Sequence, residues 1–528
     1  MKQLSSQKKQ ELMMMHQQGN IEAAAEMSKK LIKEYPNEFL LYNILGVCQE
    51  AQGDLKGAVN SYEKAININP DIPELQFNLG AMLYKLNDIK NAIIHYQKAI
   101  KLNPRFTEAF FNLGITYQSQ SEYDLAIKSY EQAINSQPGF YEAIGNIGTI
   151  KQLQGKLEEA ITLFKKSLTI FEDARGSYNL AGAYRNLGNL SLSIKHYRRA
   201  VEIGSGEAEF YSDLGDALWH DGNIEEANLF LRKAVEVNSS NPKSNYQLGI
   251  FLYDNKAFTE AIQYFESSKI GDWEERILYC LYKLEKYDQF KKKLDSLLEQ
   301  RNSSPFLATL SAHYAQNFKI KDPYNFCPLP LNYICHEQVP ELVVNDQRLI
   351  RELINDINTA DIGQRKQSRL TSGIQSSGNL FKRQEATFSE LHNALKKLIN
   401  RYFLRYKNED NEFIRSFPKE INFSSAWYVK MQSGGYLSSH IHEDGWISGA
   451  VYLAIPKDSG VGGQEGAIEL SSDGDEYPRL HDEFEKKVIL PNVGDVIFFP
   501  SSVFHRTIPF NSNEERICIA FDVKPKLS

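Results

Sequence analysis

Small, apolar and aromatic positions return with one period through the first three hundred residues. Gly46, Gly80, Gly114 and Gly148 follow at 34-residue intervals, each directly after Leu or Ile, and Ala181, Gly215 and Gly249 continue the series. A second register holds Ala24, Ala58, Ala92, Ala126, Ala160, Ser193, Ala227 and Ala261. A third holds large side chains: Tyr62, Tyr96, Tyr130, Phe164, Tyr197, Leu231 and Phe265. Within each period the apolar residues keep helical spacing in two runs, which predicts one antiparallel helical hairpin per unit. Small residues belong where the two helices cross closely, and the rings belong between neighbouring hairpins. Pro36, Pro70, Pro104 and Pro138 end four second helices, because proline has no N–H to give. The first helix, Ser6 to Gln17, is largely polar and has Leu12 at the glycine position, as the open end of a stack requires.

Beyond residue 300 the period fades. Ser303 to Phe318 reads as one more helix. Asp322 to Leu331 carries three prolines and is predicted non-helical. Asp346 to Asn358 and Phe388 to Tyr406 have helical apolar spacing, and Thr371 to Asn379 reads as a turn-rich loop. After Ser416 the pattern shortens and alternates. Ser424 to Met431, a strand around His440, a strand around Ala450, Gly466 to Leu470, Lys487 to Leu490, Asp495 to Phe499 and Arg516 to Val523 predict a sandwich or jelly roll, with two helices on its outer face. The expected organisation is an α-solenoid over 1–302, a linker helix and boundary over 303–322, and a β domain over 323–528.

His440 and His442 stand two residues apart, a spacing that in an extended strand puts both rings on one face. His505 follows the apolar run Gly494–Phe504, and Arg516 lies eleven residues further on. Paired ligands, a distal histidine and then a basic residue are the parts of a mononuclear iron site that takes a carboxylate co-substrate. Spacing alone allows two ligand sets: His440, His442 and His505, or His442, Asp444 and His505. Glu443 is expected to be a solvated turn residue. Tyr428 and Lys430 share one strand face and are candidate co-substrate contacts.

Two resemblances follow from these residues. The 34-residue registers resemble tetratricopeptide repeats, about eight of them over residues 5 to 300, with a worn ninth pair from Trp273 to Glu299. This implies a concave groove for a protein or peptide. Asn78, Asn112, Asn146 and Asn179, continued by Asp213 and Gln247, occupy the first helices two residues before the glycine register. Carboxamides so stacked can pair with a peptide backbone, and the series resembles the asparagine ladder of the O-linked N-acetylglucosamine transferases. Asp213 would favour a basic stretch in the ligand.

The stretches Gly434–His442, Gly445–Leu453, Gly494–Pro500 and His505 resemble the 2-oxoglutarate and iron(II)-dependent oxygenases that bacteria often fuse to such repeats. That resemblance covers about residues 305 to 525. It implies a double-stranded β-helix, iron held by His440, His442 and His505, and the distal carboxylate of 2-oxoglutarate on Arg516. It also implies molecular oxygen as reactant and hydroxylation of a C–H bond as outcome. The family commonly has serine two residues after this arginine, where this chain has Cys518. The alternatives are a non-catalytic interaction scaffold, an oxygenase acting on a small molecule or saccharide, and a three-histidine enzyme without 2-oxoglutarate. The last has no need of Arg516.

Composition narrows the partners. A formal net charge of −7 over 528 residues argues against a nucleic-acid or anionic-membrane surface. No apolar run approaches the ~18 residues of a spanning helix, and the polar first ten residues lack a signal-peptide core. Five cysteines with no CxxC pair predict a reducing compartment, the cytoplasm.

Overall fold

The computed structural model describes residues 4–300, 303–360, 362, 364–365, 369–443, 445–456 and 463–524. It divides into two compact units, Met1–Glu172 and Asp173–Ser528.

The first unit consists of helical hairpins such as Phe39–Ala51 with Leu55–Ile68 and Thr107–Ser119 with Tyr123–Ser136. The glycine register has a direct cause. A Cβ on Gly46, Gly114 or Gly148 would lie 2.7, 2.6 or 2.8 Å from the ring of Tyr62, Tyr130 or Phe164. Each ring therefore sits on the glycine of its own hairpin, a tighter contact than the predicted filling between hairpins. Leu12 is the one buried residue of the opening helix Ser6–Gln17.

The second unit starts with the later hairpins, from Ala174–Leu187 to Tyr287–Glu299. The helix Pro305–Asn317 follows, with ten of its thirteen residues buried. It is a packing element rather than an exposed linker. Its Phe306, Leu307 and Leu310 share one apolar cluster with Tyr253, Tyr279 and Phe290 of the repeats and with Ile441, Tyr477 and Phe504 of the β domain.

Among the described residues ten strands build that domain: β1 (Cys335–Gln338), β2 (Gln364–Arg365), β3 (Leu370–Ser376), β4 (Asn422–Leu437), β5 (Ile447–Ala454), β6 (Ile468–Ser471), β7 (Lys486–Ile489), β8 (Asp495–Pro500), β9 (Phe504–Thr507) and β10 (Arg516–Lys524). They form two antiparallel sheets in a jelly roll, one ordered β1-β8-β5-β10-β4-β3-β2 and the other β7-β6-β9. The predicted loop from Thr371 to Asn379 is mostly strand β3, because β4 extends to sixteen residues and offers it a paired edge.

Strand alternation divides the apolar residues of the large sheet into two cores. Val451, Phe498, Ile519 and Phe521 pack outward with the helices Arg348–Thr359 and Ala386–Tyr406. Val429, Met431, Tyr452, Ile497 and Cys518 point inward, against Ile468 and Leu470 of the small sheet. The two outer helices stand where the sequence places them. In the longer one Phe388, Leu391, Leu395, Leu398 and Tyr402 recur at three- and four-residue steps and cover the sheet.

Candidate metal and co-substrate site

His505 is the second residue of β9. The segment around His440 is not a strand. It meets β9 in an isolated bridge, with backbone N–H to O distances of 3.1 and 2.9 Å between His440 and His505. The extended alternation survives without the strand: His440 and His442 face the interior of the roll, while Ile441 and Glu443 face the repeat helices. One potential ligand atom from each of His440, His442 and His505 lies within 4.8 Å of the others.

Each ring is held by its Nδ1 edge. His440 Nδ1–H donates to the Ser438 carbonyl at 2.7 Å, and His505 Nδ1–H to the Val503 carbonyl at 3.4 Å. His442 Nδ1–H donates to the carboxylate of Asp522. These bonds fix one tautomer and leave Nε2 of each ring as a lone-pair donor. Burial drives His440 and His505 well below the usual 6.5, and the neighbouring histidines add to the effect. The two rings are therefore neutral, which is the form that ligates metal.

Asp522 is a residue that sequence reasoning missed. Burial alone would raise its carboxyl, but His442 and the hydroxyls of Ser448 and Ser425, at 2.7 and 2.8 Å, hold it below the usual carboxylate range. Its signal was parity: Arg516, Cys518, Ala520 and Asp522 alternate onto one face of β10. Asp522 supplies a negative charge behind a cluster of three histidines, and the donor set suits a divalent first-row ion. Asp444, the alternative ligand, lies outside the described residues.

Arg516 opens β10 into the same cavity, which His440, His442, His505, Tyr452 and Cys518 also line. It is 2% exposed. Its Nε–H donates to the Gly466 carbonyl at 3.1 Å, and its guanidinium lies over the Tyr452 ring at 5.1 Å. No carboxylate pairs with it among the described residues. The Tyr452 hydroxyl and Gln375 Oε1, both on this cavity, also lack hydrogen-bond partners. A buried cation beside the Tyr452 hydroxyl is a place that an anion would complete, whereas the Gln375 oxygen is an acceptor and calls for a donor. Cys518 Sγ lies 3.7 Å from the guanidinium, where the related oxygenases commonly carry a hydroxyl.

Two expected co-substrate contacts point elsewhere. Tyr428 is buried among the outer helices, and Lys430 Nζ donates to Asn358 at 2.6 Å. Trp427 lines the cavity in their place, because the register of β4 on β10 sets the opposite parity. Glu443 is not a solvated turn residue either. Arg276 and Tyr253 of the repeats hold its two oxygens.

A second cleft, of about 500 Å³, reaches His440 and His442 from outside. Trp219, His220 and Asp254 of the repeats line it together with Trp427, Ser425 and Lys524 of the roll. Desolvation pushes the Asp254 carboxyl up to about 6, with Glu443 adding.

The groove candidates fall in both units. In the first, Asn78, Asn112 and Asn146 are half-buried on successive first helices. Asn78 donates to Asn43 at 3.4 Å and Asn146 to the Tyr130 hydroxyl at 3.3 Å. In the second, Asn179 is half-buried, while Asp213 is buried and already engaged by Tyr178, by Lys243 at 3.0 Å and by Gln247 at 3.1 Å. The basic partner expected for Asp213 in a ligand is thus supplied by this chain.

Fold and sites together define a repeat protein joined to an oxygenase-type jelly roll. Comparison with known families gives the same two parts. Several tetratricopeptide repeat families match between residues 12 and 274, and the family described as "Putative 2OG-Fe(II) oxygenase" matches residues 425–522. The chain therefore carries tetratricopeptide repeats and, over residues 425–522, a segment that matches the putative 2OG-Fe(II) oxygenase family. No curated protein matches it. Among solved structures, MamA is 31% identical over 30% of this chain and 92% of its own, with a TM-score of 0.29. A tetratricopeptide repeat protein from Parabacteroides merdae ATCC 43184 is 19% identical over 47% of this chain and 100% of its own, with a TM-score of 0.40. The Cut9–Hcn1 hetero-tetramer of the APC/C is 15% identical over 51% of this chain and 55% of its own, also with a TM-score of 0.40. No described helix is long and apolar enough to cross a membrane.

Proposed function

We propose that this protein is a 2-oxoglutarate- and Fe(II)-dependent dioxygenase that hydroxylates a protein or peptide recruited by its repeats. The observation that carries the reading is the buried Arg516, without a carboxylate partner among the described residues, in the cavity of three converging histidines. His440, His442 and His505 would hold the iron. Bound there, ferrous iron would supply the chemistry by which one molecule of oxygen gives one atom to succinate, as 2-oxoglutarate loses carbon dioxide, and the other to the hydroxylated C–H bond. Arg516 would pair bidentately with the distal carboxylate, the task its planar fork suits. The Tyr452 ring lies beneath the guanidinium and brings its hydroxyl onto the same cavity. Asp522 keeps His442 in the ligating tautomer, and the apolar walls from Val429, Ile468 and Phe499 exclude water.

The external cleft would receive the substrate, with Trp219 and Asp254 of the repeats on its wall. The Asn78, Asn112 and Asn146 series would hold an extended backbone elsewhere on the recruited protein. The five cysteines are all unpaired, which supports a cytoplasmic location. The test is succinate formation from 2-oxoglutarate by iron-loaded protein, with and without cell extract. Succinate that requires iron and oxygen and increases with extract supports the reading. Absence of succinate under both conditions favours a scaffold.

A further inference from the structure

The roll turns one face of its ligand segments toward the repeats, and that face is unusually well secured. Ile441, between His440 and His442, and Phe504, beside His505, are 6% and 1% exposed within an apolar cluster composed mainly of repeat residues. Glu443, the residue after His442, projects into the same layer. Arg276 Nη1 lies 2.6 Å from its Oε2, and the Tyr253 hydroxyl donates to its Oε1.

Arg276 is itself fixed from several sides. It is 6% exposed, its Nη2 lies 3.1 Å from Asp272, and its guanidinium covers the rings of Tyr253 and Phe306 at 5.1 and 5.6 Å. Tyr253 lies in the last turn of the helix Pro242–Asp254, and Arg276 lies on the helix Trp273–Lys283. Two different repeat helices therefore meet on one carboxylate. A half-buried, doubly held carboxylate one residue from a ligand constrains that ligand's backbone, and the outer partners of a metal site control its affinity in this way.

We propose that Arg276 and Tyr253 are positioning residues of the metal centre, and that they set the place of His442 through Glu443. The repeats are then part of the active site as well as a recruiting surface. The inference rests on the three-histidine reading of the site.

Cobalt(II) serves as the probe, titrated anaerobically into the full chain, with affinity and the ligand-field spectrum as readouts. Melting of the metal-free protein reports folding separately. Tyr253→Phe removes one hydrogen bond at constant volume, and Arg276→Gln removes the ion pair. The expected result is about 10- to 100-fold weaker binding in Arg276→Gln, a smaller loss in Tyr253→Phe, and an altered spectrum at saturation in both. A role in folding alone would lower melting but leave the affinity and spectrum of the folded fraction unchanged. Wild-type affinity and spectrum in Tyr253→Phe, or in folded Arg276→Gln, overturn the proposal. Failure of the unaltered protein to bind cobalt overturns instead the three-histidine reading on which it rests.

Discussion

His440 and His505 each contribute a neutral imidazole whose tautomer is fixed by a backbone carbonyl. His440→Ala or His505→Ala should abolish stoichiometric ferrous binding, because two remaining ligands hold a labile divalent ion poorly. Iron content after anaerobic loading and desalting checks this. Loss in Asp444→Ala with retention in His440→Ala would move the ligand set to His442, Asp444 and His505. Arg516→Ala should leave iron in place and weaken 2-oxoglutarate binding. A charge-assisted pair in a sheltered site is worth ~1.5–3 kcal/mol, or about 10- to 100-fold, which calorimetric titration resolves. The three histidines and Arg516 stood out as candidates because short motifs carry their own chemistry, but spacing left Asp444 open as a ligand in place of His440. Tyr428 and Lys430 could not be excluded that way, since their direction depends on pairing with a strand some ninety residues later. Glu443 was misjudged for a related reason: nothing local shows that Arg276 will meet it.

At the scale of elements, the repeats were the most legible part, since every period restates the same contact. Gly114 shows the physics. Alanine is the better helix former by about 1 kcal/mol, yet here its Cβ would lie 2.6 Å from the fully buried Tyr130 ring. Overpacking at such a site costs ~1–3 kcal/mol, so Gly114→Ala should destabilise the hairpin. Urea unfolding followed by circular dichroism should show an earlier first transition. The β domain was legible as a class but less so in detail. Strand β3, with its serines and glycine, has little strand propensity and forms because β4 pairs with it. Gly373 fits there because a Cβ would approach the Lys430 carbonyl to 2.7 Å. The His440 segment has strand alternation but only one bridge, since Ile441 and Glu443 are engaged by the repeats rather than by a neighbouring strand.

At the scale of the molecule, the expected boundary near residue 320 crosses a continuous core. His313, on the helix expected to be a linker, is 1% exposed. It donates from Nε2 to Asp473 of the roll at 2.9 Å and accepts at Nδ1 from the Tyr282 hydroxyl of the repeats at 2.8 Å. Burial holds its imidazole below the usual 6.5, with Asp473 offsetting only part of the shift. Below about pH 6.5 the unfolded chain binds a proton that the folded chain refuses, so stability falls as pH falls. Above that value both states are neutral and the contribution is flat. The melting temperature of the metal-free protein should drop from about pH 7.5 to about pH 5.5, with a shallower slope in His313→Gln.

Under the proposed function His440, His442, His505 and Arg516 form one site for iron and 2-oxoglutarate. Anomalous diffraction at the iron edge, from crystals grown anaerobically with ferrous iron and 2-oxoglutarate, tests it most directly. One iron peak shared by the Nε2 atoms of the three histidines is expected, with the distal carboxylate of 2-oxoglutarate on the Arg516 guanidinium. An iron peak away from these histidines, or 2-oxoglutarate bound without contact to Arg516, would contradict it.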